Sequence, residues 1–95
     1  MEAGNVNEFL EKITYQEEAV LYRGRKYFFN PTGNESEGQA RLDIERWTDK
    51  NLWERDILHI EAPTHAECVK RMTAAPVWDG RTFWEVETEM NWTEW

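Results

Sequence analysis

Gln39–Trp47 reads QARLDIERW, and its alternation decides the fold. Ala40, Leu42 and Ile44 fall on one parity, Arg41, Asp43 and Glu45 on the other. Successive side chains of an extended chain point to opposite sides, so period two with one charged face predicts a half-buried antiparallel strand. Upstream, Ala19–Asn30 (AVLYRGRKYFFN) places two β-branched or aromatic runs around Arg23-Gly24-Arg25. Gly24 supplies the positive φ of a tight turn, and the segment reads as a β-hairpin. Between these two regions, Asn30–Gly38 (NPTGNESEG) reads as a solvated loop or hairpin tip. Downstream, Asp49-Lys50-Asn51 turns the chain. Leu52–Ala62 then offers Leu58, Ile60 and Ala62 on one face and Ile57, His59 and Glu61 on the other. The reading is a four-stranded antiparallel meander over residues 19–62.

Helices flank it. Val6, Phe9, Leu10 and Ile13 recur at helical spacing after Asn5, a candidate cap with Glu8 three residues on. Pro63 ends the last strand of the meander, and Thr64 with Glu67 forms a capping box that opens a second helix. Ala66, Val69 and Met72, with Cys68 and Ala75, form its apolar face, Lys70 and Arg71 point to water, and Pro76 stops it.

Pro76–Trp95 (PVWDGRTFWEVETEMNWTEW) holds four of the six tryptophans. Two patterns fit it. As a strand, Trp84, Val86, Thr88, Met90 and Trp92 share a face; as a helix, Thr82 and Glu85 form a capping box after an Asp79-Gly80 turn. Three closely spaced glutamates tip the reading toward helix. The expected fold is a single α+β domain over residues 1–95, a four-stranded antiparallel meander with two or three short helices packed on one face.

Composition bounds the function. The net charge of -8 disfavours nucleic acid and anionic membrane surfaces as partners, since both repel an acidic chain. No apolar run approaches the roughly 18 residues of a spanning helix. The acidic start lacks the basic-then-apolar profile of a secretion signal, and Cys68 is the single cysteine, so a reducing cytoplasm is the expected location. His59, His65 and Cys68 are the soft metal-ligand candidates. His65 and Cys68 stand three apart, but a structural zinc needs about four ligands, so neither a metal nor a cofactor is expected. No phosphate-cradling glycine loop or nucleophile motif is present, and the expectation is a non-enzyme.

The tryptophans remain the most informative feature: six of them, with three tyrosines and four phenylalanines, exceed what a 95-residue core easily buries, and Trp92 and Trp95 lie at a terminus where burial is least assured. Residues 76–95 also carry five acids and one base. The reading is a protein-protein interaction module that binds itself or a partner through Trp84, Trp92 and Trp95 with Glu85, Glu87 and Glu89. Two alternatives stand beside it: an acidic inhibitor imitating phosphate at the basic site of a nuclease or DNA-binding protein, and a small enzyme pairing His59 or His65 with a carboxylate.

Overall fold

The computed structural model describes residues 1 and 5–93. Helix α1 (Asn5–Lys12) precedes strands β1 (Glu18–Tyr22), β2 (Arg25–Asn34), β3 (Gln39–Trp47) and β4 (Trp53–Ala62); helices α2 (His65–Ala74) and α3 (Phe83–Val86) and strand β5 (Asn91–Thr93) follow. The sheet is antiparallel, in the order β4-β3-β2-β1-β5. The α+β domain expected from the sequence is therefore present, with five strands in place of four. The extra strand comes from the ambiguous C-terminal segment, which divides between its two patterns. Thr82 N–H donates to Glu85 Oε1 at 2.9 Å, completing the capping box that starts α3. After one turn and a 3-10 stretch at Glu87–Glu89, the chain extends and lays Trp92 opposite Val20.

Both central residues of the β1–β2 turn, Arg23 and Gly24, have positive φ (51° and 76°). This is the turn whose twist matches its flanking strands. The segment from Asn30 to Gly38 is less of a loop than its composition suggested. β2 runs on through Pro31 to Asn34, and the tip is only the 3-10 turn Glu35–Glu37 with Gly38. Gly33 permits this: at φ +79° it lies so close to β3 that a Cβ would sit 2.1 Å from the Gln39 carbonyl oxygen. β4 carries two irregularities, one between Leu58 and Asp56 and one between Arg55 and Trp53. The first leaves Ile57 without an opposite residue and packs it against the core, where simple alternation had placed it with His59 and Glu61.

The helices lie on one face of the sheet. That face presents Val20, Tyr22, Tyr27, Phe29, Leu42, Ile44 and Ile60, and they meet Phe9 and Ile13 of α1, Cys68 and Met72 of α2, and Phe83 and Val86 of α3. Asn5 is the first helical residue of α1 rather than its cap. Thr64 caps α2 by accepting from Glu67 N–H at 3.1 Å. Thr73 is turned inward on α2 and Ala66 outward, a small rotation from the expected apolar stripe. Trp78 is the largest core side chain, 1% exposed, with its ring 4.9 Å from Tyr27 and 5.9 Å from both Tyr22 and Phe29. A second positive-φ turn, Asp79-Gly80, fixes it there by closing a two-way backbone bridge between Trp78 and Arg81.

Register fixes what the opposite face carries. One row across the strands is Leu21, Lys26, Trp47 and Trp53; the next is Ala19, Phe28, Glu45 and Asp56; a third holds Asn30, Asp43 and His59. No described helix lies on this face.

Candidate partner-binding surface

The tryptophans anticipated as an interface have different surroundings. Trp84, on α3, stands 53% exposed. Trp92 is half-buried on the helix side of the sheet, edge-on to Phe9 at 5.5 Å, with its indole N–H donating to Glu18 Oε2 at 3.3 Å. Lys12 Nζ lies 5.4 Å over its ring. Trp95 falls outside the described residues.

The three glutamates between them are each engaged within the chain. Glu85 caps α3, and those hydrogen bonds hold its carboxyl below the usual carboxylate range. Glu87 Oε2 lies 3.3 Å from the amine of Met1. Glu89 lies 3.0 Å from Arg81 and 3.4 Å from Arg23, and the Arg81 hydrogen bond lowers its pKa. Arg23 also meets Asp79 at 2.9 Å, so the two positive-φ turns face each other across an ion pair. The structure therefore ties Glu87 and Glu89 to the chain's own cations and Glu85 to the α3 cap rather than gathering the three into one outward array.

The histidines and cysteine also separate. His65 is a staple: its Nε2 meets the Thr32 carbonyl at 2.7 Å, and its backbone N–H donates to Glu35 Oε1 at 2.7 Å, tying the start of α2 to the β2–β3 turn. Cys68 is fully buried, and burial pushes its thiol up, away from the reactive thiolate. His59 lies on the helix-free face, with Nδ1 on Asp43 and Nε2 3.4 Å from Glu61. The Asp43 hydrogen bond, then its charge, raise the imidazole pKa, with Glu61 adding to it. A concavity of about 520 Å³ at that end of the sheet is lined by Arg41, Glu61, Pro63 and Arg71 and contains neither histidine nor the cysteine. Among the described residues, no three His, Cys, Asp or Glu side chains are grouped as metal ligands. No described helix is long and apolar enough to cross a membrane.

The surface that sequence reasoning passed over is the β3–β4 end of the helix-free face. Trp53 is 54% exposed and sits directly opposite Trp47, beside Leu52 at 64% exposure. Trp47 packs edge-on to buried Phe28 at 5.2 Å, and its indole N–H donates to Glu45 Oε2 at 3.1 Å. Lys26 is buried between Leu21 and Trp47 in the row, and its ammonium reaches Asn51 Oδ1 at 2.8 Å. Asn51 itself holds φ +61° in the turn that presents Leu52. The missed signal is one of parity: Trp47 shares its parity with Arg41, Asp43 and Glu45 on the charged side of an alternating strand. A large aromatic in that position faces away from the core.

No known protein family, curated protein or solved structure matches the chain.

Proposed function

We infer that this chain is a non-catalytic binding protein whose helix-free sheet face docks a second protein. The observation that carries the reading is Trp53, more than half exposed opposite Trp47 with Leu52 beside it. Facing tryptophans on a sheet are the kind of surface that partners bury, with tryptophan as anchor. Covering a half-exposed side chain of this size contributes on the order of 2 kcal/mol to association. The cytoplasm is the proposed location, supported by a lone cysteine kept as a buried thiol.

Trp84 marks a second surface. Its exposed ring on α3 keeps the C-terminal segment, with Trp92, Trp95, Glu85, Glu87 and Glu89, as the rival partner site. Affinity capture from the native cells with Trp53→Ala and Trp84→Ala as baits separates the two, beside solution masses of the purified protein. A partner, or a dimer, lost with Trp53→Ala and kept with Trp84→Ala is the expected result. Loss with Trp84→Ala alone moves the site to α3. Capture indifferent to both, with no self-association, sinks the reading.

A further inference from the structure

The charges around Trp53 specify what sort of partner fits, if that face is the docking surface inferred above. Glu45 and Asp56 are directly opposite each other on β3 and β4, in the row next to the Trp47–Trp53 pair. Like charges in that relation repel and weaken a sheet. Among the described residues, the Glu45 carboxylate accepts only the Trp47 indole N–H, and the Asp56 carboxylate has no hydrogen bond or ion pair. Glu17 adds a third negative charge: partial desolvation of its carboxyl, then the charge of Glu45, push its pKa up. On this face Lys26 stands in the next row, opposite Trp47, and its ammonium is turned to Asn51. On the helix side of the same strands an acid does have bases beside it, with Glu54 at 2.7 Å from Arg25 and 3.0 Å from Arg46. So the patch combines the exposed Trp53 indole, which attracts cations, with carboxylates that pair with no base among the described residues.

We propose that the occupant of this face is a cationic segment of a partner protein, setting arginine or lysine side chains against Glu45 and Asp56 and an apolar side chain against Trp53. Such a segment relieves the Glu45–Asp56 repulsion as it buries the indole, so charge and apolar area act together. A second copy of this chain is a poor occupant, because its most basic stretch is already engaged: Arg23 with Asp79, Arg25 with Glu54, Lys26 with Asn51.

The test uses fluorescence anisotropy with labelled peptides of alternating arginine and leucine, serine and leucine, and glutamate and leucine. The double variant Glu45→Gln/Asp56→Asn is compared with Glu11→Gln/Glu37→Gln, which removes the same charge from two exposed sites elsewhere. The expected result is binding of the arginine peptide in preference to the other two, weakened about tenfold by the first double variant and by Trp53→Ala but not by the second double variant. Equal weakening by both double variants would show attraction to the overall acidic field and overturn the proposal. Serine and arginine peptides binding alike, with both lost in Trp53→Ala, would overturn the cationic occupant and leave the docking face standing. No binding of any peptide to the folded protein overturns the proposal, and the capture experiment then decides the docking face separately.

Discussion

On the helix side of the sheet Glu54 lies between two arginines, Glu89 between two more, and Trp78 is surrounded by aromatic rings. On the other side Glu45 faces Asp56 with no base between them, and Trp53 stands in water. Both sides are built from the same few strands and the same residue types. Stability and partner binding place opposite demands on those residues. On the helix side Trp78 is enclosed and Glu54 and Glu89 are paired, with Trp84 as the exposed exception; on the other side Trp53 and the Glu45–Asp56 pair stay open to an occupant.

The largest expected break in that contrast comes from the tryptophans. Trp78→Ala empties a fully enclosed site and should cost about 3–5 kcal/mol in urea unfolding. Trp53→Ala should fall within about 0.5 kcal/mol of wild type. Trp78→Phe sharpens the point: the buried indole N–H has no hydrogen-bond partner among the described residues, so removing it recovers part of the loss. A Trp53→Ala change as costly as Trp78→Ala would make Trp53 a core residue and remove the distinction between the faces.

Next in size is Gly33→Ala, which sets a methyl group against the Gln39 carbonyl at positive φ and should cost about 1–3 kcal/mol. Full wild-type stability would mean that the β2–β3 hairpin does not approach as closely as described.

Neutralising one acid on each side gives effects of opposite sign. Asp56→Asn relieves repulsion and should raise stability by about 0.2–1 kcal/mol. Glu54→Gln loosens its contacts with Arg25 and Arg46 and should lower it by no more than about 1 kcal/mol, since both arginines are partly in water. Denaturant midpoints of the same sign for both would contradict the division of charge.

The smallest effect belongs to His59. Its folded pKa lies above its unfolded value, so its pairing with Asp43 and Glu61 stabilises fully below about pH 6.5. That contribution disappears as pH rises through the folded pKa. His59→Gln should therefore lower the thermal midpoint at about pH 5.5 and leave it unchanged at about pH 8.5. A deficit that grows with pH would show that the imidazole is not held by those carboxylates.

Local rules made most of the fold legible. Period two gave β3, the glycine turn gave the first hairpin, and Thr64 and Thr82 marked their helices because a cap depends on neighbours in sequence. What could not be read locally was decided by distant contacts. β5 exists because β1 offers an edge about seventy residues earlier, as Val20 opposite Trp92 shows. Ile57 turns inward through an irregularity set by pairing with β3. Tryptophan is densest near the C-terminus, yet Trp92 is largely occupied by Phe9 and Glu18 while Trp53, far from that cluster in sequence, is exposed. Side-chain count marks where aromatics are, while parity on a strand indicates which of them face outward.

The pairing of β5 with β1 also bears on how the molecule forms. A growing chain that has been made only through α2 already possesses the meander, yet it lacks Trp78, Phe83 and the strand that protects β1. Until they arrive, the aromatic interior and one strand edge are open to other chains, the condition in which nascent domains aggregate. Closing contacts between the first strand and the last is a slow kind of step, because the chain loses the entropy of a long loop before it gains the contact. Folding of this domain is thus expected to follow completion of its synthesis, with the last strand setting the pace.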